Sequence, residues 1–260
     1  MQGSDPRIDL VLGDIARLAI RRADKLNALD AAMIAAFRDA CLTIEHSTAR
    51  VLILTGDGGR AFSAGGDIAA WSDLSPDAFS RHWVRDGHMM FDALTRLRQP
   101  VIAVLNGHAL GGGLELAACA DLRIAESHIT LGQPETGLGV IPGWSGTQRA
   151  VQRFGGQVVR RMAMFGEVFS ADQALALGLV DQVVPTGQGL AAADIVAQRV
   201  LTKGARATEL TKMLINAAMG EDRERVLESL ASGIAAASDE LAKGLAAFRA
   251  KRKPDFGGKT

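Results

Sequence analysis

Short apolar runs alternate with amphipathic segments along the first 190 residues of the chain. The runs 51–55 and 101–105 are continuous and largely β-branched, which is typical of strands buried on both faces of a parallel sheet. Segment 30–44 instead has apolar residues at helical spacing behind Asp30, which we expect to cap that helix. Beyond residue 190 the pattern is alanine-rich and helical. The sequence therefore predicts an α/β core over residues 1–190 and a helical region over 191–260.

The same pattern predicts the remaining elements of the core. It indicates a hairpin over 8–20, strands over 122–125, 129–131 and 180–184, and helices over 75–97, 114–120, 146–154, 158–165 and 170–177. Ser170 and Gln173 have the spacing of a capping box, and Gly178 is a typical residue to end the helix that they open.

Composition narrows the class of protein. Lys+Arg and Asp+Glu number 29 each, so no net charge attracts nucleic acid or an anionic membrane surface. No apolar stretch approaches the ~20 residues that a membrane span needs, and the first residues lack a signal-peptide pattern. Cys41 and Cys119 stand in apolar surroundings and are interpreted as buried free thiols. We therefore expect a cytoplasmic protein without a nucleic-acid or membrane partner.

Two glycine-rich segments carry the candidate chemistry, residues 62–68 (FSAGGDI) and 111–115 (GGGLE). Glycine and alanine leave the main chain accessible, so its N–H groups can approach a ligand atom. Gly112 lies where a predicted helix begins, and the first N–H groups of a helix have no internal partner. Ala64 follows a short loop after another predicted strand. Two N–H groups from separate segments can form an oxyanion hole.

Two glutamates lie close to these segments in the sequence. Glu115 follows the glycines by about one helical turn, although an acid there could also merely cap the helix. Glu135 follows Pro134 in an irregular segment, where it could also be an ordinary surface carboxylate. Asp67 is interpreted as a helix N-cap rather than a catalytic acid. A pair of carboxylates can divide acid and base work, so the combination indicates chemistry on an activated acyl group.

Two other motifs are weaker. Residues 56–61 match G-x-G-x-x-A, but poor helix formers follow where a dinucleotide-binding motif would open a helix. Residues 143–147 (GWSGT) approach the nucleophile elbow G-x-S-x-G but have Thr147 in place of the last glycine, so Ser145 is interpreted as a helix N-cap. The five histidines show no metal-ligand spacing, and we expect no metal.

In this order, the segments resemble the crotonase (enoyl-CoA hydratase/isomerase) superfamily. The resemblance extends over residues 22–29, 62–68, 100–121, 132–149 and 248–256. It implies a spiral of ββα turns followed by a C-terminal helical trimerisation region. It also implies a homotrimer, or a hexamer built as a dimer of trimers.

The resemblance assigns roles residue by residue. It implies Glu115 and Glu135 as catalytic residues and the Ala64 and Gly112 N–H groups as the oxyanion hole. It implies a CoA-binding set of Lys25, Leu26, Ala28, Ala64, Asp67, Ile68, Phe248 and Lys251. For the acyl pocket we expect Trp71, Leu138, Gly139 and Trp144. No separate cofactor is implied, because CoA enters as part of the acyl-CoA substrate.

Both glutamates together favour hydration of a 2-enoyl-CoA to a 3-hydroxyacyl-CoA. Other reactions of the superfamily stay open, namely those of a double-bond isomerase, a carnitinyl-CoA-type dehydratase or racemase, a C–C lyase or a hydrolase. A non-enzymatic assembly or RNA-binding protein is a further alternative. Trp144 departs from the family pattern, because hydratases usually have a small residue there. If its indole faces the acyl pocket, we expect a preference for short or unusual acyl groups.

Overall fold

The computed structural model of the protein describes residues 5–257. The chain divides after Leu210 into two compact units. The strands are Ile8–Val11 (β1), Ile15–Ile20 (β2), Val51–Gly56 (β3), Ala61–Ser63 (β4), Val101–Leu105 (β5), His108–Leu110 (β6), Leu122–Glu126 (β7), Thr130–Gly132 (β8), Val168–Ser170 (β9) and Gln182–Val184 (β10).

Twelve α-helical segments lie in the described part of the chain. They are Ala31–Glu45 (α1), Ile68–Trp71 (α2), Pro76–Ala78 (α3), Arg85–Thr95 (α4), Gly112–Ala118 (α5), Arg149–Phe154 (α6), Gly156–Phe165 (α7), Ala171–Ala176 (α8), Gly189–Leu201 (α9), Ala205–Ala218 (α10), Arg223–Ala236 (α11) and Asp239–Arg249 (α12). A π-helical turn, Phe79–Val84, leads directly into α4, and 3₁₀ turns lie at Ala23–Lys25 and Glu135–Leu138.

Two sheets organise the first unit. The larger has the strand order β1-β2-β3-β5-β7-β10, and the smaller has the order β4-β6-β8-β9. The larger sheet is parallel apart from the β1–β2 hairpin, and the smaller is parallel apart from the β8–β9 pair. Each of β3, β5 and β7 is followed by a strand of the smaller sheet. Strand pairs therefore extend both sheets together, with helices after β4 and β6, which confirms the predicted α/β spiral of ββα turns.

The apolar run 51–55 forms strand β3, and its continuous apolar character is explained by burial on both faces. Leu52 and Leu54 belong to the main core, whereas Val51 and Ile53 face a second cluster that includes Ala193 and Ala197 of α9. Because alternate side chains of a strand point to opposite faces, both faces of β3 are buried. Helix α9 packs on this sheet and therefore belongs to the first unit. The division between the units accordingly lies after Leu210, beyond the boundary predicted at residue 190.

Local capping signals are mostly confirmed. The Asp30 side chain accepts a hydrogen bond from the Met33 N–H, Asp67 accepts one from Ala69, and Ser170 and Gln173 form the predicted capping box. Ser145 is the exception. Helix α6 begins only at Arg149, so its N-cap is Gln148, and the φ of 82 at Ser145 differs from the extended conformation typical of an N-cap.

The second unit is helical and contains α11 and α12. Ile234 of α11 and Phe248 of α12 are 76% and 81% exposed, the highest values among the large apolar side chains that the structure describes. Within residues 5–257, none of the helices combines the length and hydropathy needed to cross a membrane.

Candidate active site

Glu115 is placed by the start of helix α5. The chain leaves β6 at Leu110, turns at Gly111 and enters the helix at Gly112. The Glu115 side chain is 3% exposed, and its Oε1 accepts hydrogen bonds from the backbone N–H groups of Trp144 at 2.8 Å and Gly146 at 2.6 Å. The carboxylate therefore binds a different segment of the chain, and the alternative that it merely caps its own helix is not supported.

Glu135 opens the 3₁₀ turn Glu135–Leu138 that follows β8. Both of its carboxylate oxygens are buried and have no hydrogen-bond partner among the described residues. Its Oε1 lies 3.2 Å from the position that a Cβ would take on Gly111, which places it beside the start of α5. Both glutamates border one cavity, and the surface-carboxylate alternative for Glu135 does not fit this burial.

The two carboxyl groups share an environment that disfavours two negative charges. Burial, followed by the charge of Glu135, raises the pKa of Glu115 to about 8, against the opposing effect of the Trp144 and Gly146 hydrogen bonds. Burial raises the pKa of Glu135 to about 6. Such a pair titrates as a unit. Between about pH 6 and pH 8 it holds one proton and one negative charge, and thus one acid and one base.

The structure corrects the predicted oxyanion role of Ala64. Its backbone N–H donates to the Leu26 carbonyl at 3.0 Å and is not available to a ligand. The next N–H, of Gly65, donates to the Ser63 hydroxyl at 3.1 Å. The predicted donor Gly112 instead lies at the first position of α5, where a helix offers its N–H no internal acceptor.

Gly66, rather than Ala64, is the candidate donor in this segment. The Leu29 N–H donates to the Gly65 carbonyl at 2.7 Å, and the Asp67 N–H donates to the Leu29 carbonyl at 2.8 Å. In such a parallel bridge the backbone N–H and C=O groups of Gly66 itself point away from Leu29. Within residues 5–257, neither Gly66 nor Gly112 has a hydrogen-bond acceptor for its N–H, and both residues line the cavity. The sequence signal for Gly66 is the second glycine of the 62–68 motif.

Gly65 brings these two segments together. Its φ of 92 is the left-handed conformation that glycine adopts freely, and a Cβ on it would lie 2.6 Å from the Gly112 nitrogen. The absence of a side chain at this position is therefore what allows the loop after β4 to approach the start of α5.

The cavity opens to solvent. The predicted site residues that line it are Ala64, Ile68, Trp71, Gly112, Glu115, Glu135, Leu138 and Trp144. Gly139 does not line it; its φ of 76 ends the 3₁₀ turn instead. Trp83, Val84, Val140 and Ile141 also line the cavity and were not predicted, because apolar residues of this kind carry no chemical signature in a sequence.

Trp144 forms one wall of this cavity. Its indole is 3% exposed, lies 5.1 Å from the Trp83 ring and 5.3 Å from the Phe91 ring, and donates from Nε1 to the Trp83 carbonyl at 3.3 Å. A Cβ on Gly87 of α4 would lie 1.9 Å from that Nε1, so this position must be glycine. The six-membered ring faces both Gly66 and Gly112, at 3.2 Å and 2.9 Å from where their Cβ atoms would be.

The predicted CoA-binding residues other than Ile68, which lines the cavity described above, fall into three groups. Leu26 and Ala64 line a second cavity with Arg60, His108 and His128, so Ala64 borders both cavities.

Asp67 and Ala28 are tied together by Arg22, which binds the Asp67 carboxylate at 2.8 Å and the Ala28 carbonyl at 3.0 Å. Lys25 is exposed, and Phe248 and Lys251 belong to the second unit. The CoA-binding roles of all eight residues stay predictions.

Ser145 contacts a histidine but does not form a catalytic triad. Its Oγ lies 3.1 Å from His88 Nδ1, whereas the Asp92 carboxylate binds Arg149 at 2.8 Å and Arg96 at 3.2 Å. Ser145 does not line the cavity. Among the described residues, no group of three or more His, Cys, Asp or Glu side chains could hold a metal ion.

Known proteins of one family resemble this chain over almost its whole length. The family model described as enoyl-CoA hydratase/isomerase matches residues 12–259. A crotonyl-CoA hydratase of Syntrophomonas wolfei is 38% identical over 93% of this chain and 94% of that relative. A short-chain-enoyl-CoA hydratase of Clostridium acetobutylicum is 35% identical over 93% of each chain. The crystal structure of an enoyl-CoA hydratase from Bacillus anthracis superposes with a TM-score of 0.78 at 30% identity, covering 97% of this chain and 100% of that one.

Replacing Glu115 by glutamine should stabilise the fold increasingly as the pH rises. The folded-state pKa of about 8 lies above the ordinary value of 4.5, so the wild type loses stability as the pH rises from the lower value to the higher one. The amide keeps an oxygen acceptor for the two N–H groups and carries no charge. Urea denaturation should show that the advantage of Glu115→Gln grows by a few kcal/mol between pH 5 and pH 8.5. The exposed Glu228→Gln is the control, and a pH-independent difference would contradict the burial effect.

Gly65→Ala should lower activity far more than Gly178→Ala does, although both variants should lose a similar amount of stability. Its new Cβ would force Gly112 away from Gly66, whereas Gly178→Ala strains a left-handed glycine that has no atom within 4 Å of its Cβ position. Both variants should lose about 1 kcal/mol or more of stability. We expect only Gly65→Ala to lower kcat, by about a hundredfold. Equal kcat values in the two variants would refute the donor pair.

Proposed function

Because the chain belongs to the enoyl-CoA hydratase/isomerase family, we propose that it hydrates a short-chain 2-enoyl-CoA to the 3-hydroxyacyl-CoA. It is an enzyme of the enoyl-CoA hydratase type, a lyase. The observation that carries the proposal is the pair of buried carboxyl groups of Glu115 and Glu135 at one cavity, beside the unpaired N–H groups of Gly66 and Gly112.

The thioester carbonyl oxygen accepts hydrogen bonds from the Gly66 and Gly112 N–H groups in this proposal. Polarisation of the carbonyl makes C3 of the enoyl group electrophilic and collects the enolate charge on the oxygen. The positive end of the α5 dipole adds to this stabilisation. One donor of this kind is typically worth about 2.7–4 kcal/mol in the transition state.

The glutamate pair supplies and removes the protons. The ionised carboxylate takes a proton from a water molecule whose oxygen bonds to C3, and the protonated carboxylic acid gives its proton to C2. One proton enters the pair and one leaves, so the pair ends with the single proton that it began with. The unpartnered oxygens of Glu135 need a hydrogen-bond donor, and the reacting water can provide it.

The acyl group of the substrate is short in this proposal. The Trp144 indole occupies the space beside the two N–H donors, where a longer chain would otherwise extend. Two relatives that match over 93% of the chain are named for crotonyl-CoA and short-chain enoyl-CoA. Their names and the position of the indole support the same substrate class.

Binding of CoA and assembly are the remaining parts of the proposal. Ala64 and Ile68 line the cavity of the two carboxyl groups, Leu26 and Ala64 line the second cavity, and these three residues would contact the CoA moiety. The exposed apolar side chains of Ile234 and Phe248 support a homotrimer, or a hexamer of two trimers, assembled through the C-terminal helices. We further propose a cytoplasmic enzyme.

Hydration of crotonyl-CoA tests the function directly. The purified protein should consume the conjugated enoyl-thioester absorbance, with a bell-shaped kcat/KM profile whose limbs lie near pH 6 and pH 8, where the pair gains and loses its single proton. Glu115→Gln and Glu135→Gln should each lower kcat by about a hundredfold or more. Glu228→Gln should behave as the wild type. A kcat close to the wild-type value in either active-site variant would refute the two-glutamate mechanism.

Trp144→Gly should shift the preference toward longer acyl chains. The ratio of kcat/KM for 2-octenoyl-CoA to that for crotonyl-CoA should rise by about tenfold or more, because each added methylene gains apolar contact in the opened space. Trp144→Phe keeps an aromatic wall and should retain the short-chain preference. The loss of packing on Trp83 and Phe91 should lower stability in Trp144→Gly, so assays are run well below its Tm. An unchanged chain-length profile would remove Trp144 as the determinant.

A further inference from the structure

The turn that holds Glu115 contains a residue in an unfavourable conformation. The N–H groups of Trp144 and Gly146 donate to Glu115 Oε1, and Ser145 lies between them. Ser145 is 4% exposed and has φ 82, a left-handed conformation that residues other than glycine rarely adopt. Relaxation of Ser145 to an ordinary conformation would turn the adjacent N–H groups away from the carboxylate. The surrounding contacts must therefore hold it in place.

The hydroxyl group of Ser145 provides such a contact. Its Oγ accepts a hydrogen bond from the Gln148 side-chain amide at 3.3 Å and lies 3.1 Å from His88 Nδ1 on α4. With the Gln148 donor in place, the hydroxyl hydrogen can donate to Nδ1 of a neutral imidazole that carries its proton on Nε2. Burial lowers the pKa of His88, with Asp92 opposing and Arg149 reinforcing the shift, which favours this neutral form.

Helix α4 also holds both sides of the turn. The Asp92 carboxylate, one helical turn after His88, binds the Arg149 guanidinium at 2.8 Å, and the Trp83 carbonyl that precedes α4 accepts the Trp144 Nε1–H at 3.3 Å. These contacts fix the flanks of the turn, whereas the contact of His88 acts on Ser145 itself. Neither His88 nor Ser145 lines the cavity, so any effect on the reaction passes through the turn 144–146, which holds Glu115.

We infer that His88 is a positioning residue for Glu115: through the Ser145 hydroxyl it keeps the turn 144–146 in the conformation that aims both N–H groups at Oε1. The inference rests on the proposed function, in which Glu115 is one of the two proton-transfer groups. Loss of the His88 contact weakens two hydrogen bonds that favour the ionised carboxylate. The carboxyl group then becomes harder to ionise and less well placed.

His88→Ala tests this with readouts that simple loss of packing would not move. With crotonyl-CoA we expect kcat to fall by about tenfold to a hundredfold while KM stays within about twofold. The upper limb of the pH profile should move upward by about half a unit to one unit. His88→Asn, whose Oδ1 can take the place of Nδ1, should restore most of kcat and bring the upper limb of the pH profile back to its wild-type position. The exposed His82→Ala is the matched control. Wild-type kcat and an unmoved limb in His88→Ala would overturn the inference.

A second arm tests whether His88 acts through Ser145. Glycine adopts the left-handed conformation without help, so in a Ser145→Gly background the turn no longer needs the hydroxyl contact. His88→Ala should then change kcat by less than about twofold, a coupling that a double-mutant cycle measures. An equal loss in both backgrounds would mean that His88 acts elsewhere and would overturn the inference.

The failure of the proposed function is recognised separately. A wild-type protein that leaves crotonyl-CoA unchanged would refute the proposed hydration, whatever the His88 variants do. The pKa of Glu115 is then followed without substrate, by ¹³C NMR of glutamate-labelled protein with Glu115→Gln to assign the signal. A higher Glu115 pKa in His88→Ala than in the wild type and His82→Ala supports the positioning role, and equal values overturn it.

Discussion

A carboxyl group buried among backbone groups is the constraint on which the rest of the site depends. Transfer of Glu115 out of water is unfavourable, and the two N–H groups of the turn 144–146 compensate for it only in one geometry. Helix α5 fixes one side of this contact and helix α4 fixes the other. Glu135 lies beside the start of α5, and its charge raises the pKa of Glu115, so the protonation states of the two glutamates depend on each other.

The same turn links the shape of the cavity to its chemistry. Its backbone holds the Glu115 carboxylate, while the side chain of Trp144 forms the wall of the cavity and packs into the space that Gly87 leaves open. A change that moves the indole therefore also moves a hydrogen bond to the catalytic pair. We therefore expect chain-length preference and catalytic rate to change together in this protein. In a protein whose cavity wall and acid are held by separate segments, the two properties would be more independent.

The apolar runs of the sequence predicted an α/β core, and the spiral of ββα turns followed from the family resemblance. The glycine motifs drew attention to the two glutamates, which the fold places at one cavity. The short strands β4 and β6 escaped prediction, since each runs directly into a glycine-rich motif and forms no separate apolar run. The Ala64 assignment was wrong because the choice between neighbouring N–H groups depends on the pairing with Leu26 and Leu29, which only the fold reveals. The contact of His88 with Ser145 joins residues that lie far apart in the sequence and show no pattern. The left-handed conformation of Ser145 likewise came from tertiary contacts that override its ordinary preference.

A crystal structure with the product 3-hydroxybutyryl-CoA bound would test the central claim most directly. The account predicts the thioester oxygen at about 2.7–3.1 Å from both the Gly66 and the Gly112 nitrogens, the distances expected for an oxyanion hole. It also predicts the 3-hydroxyl group within hydrogen-bond distance of the Glu115 and Glu135 carboxyl groups. A thioester oxygen bound away from Gly66 and Gly112, or a hydroxyl group that reaches neither carboxyl, would contradict it.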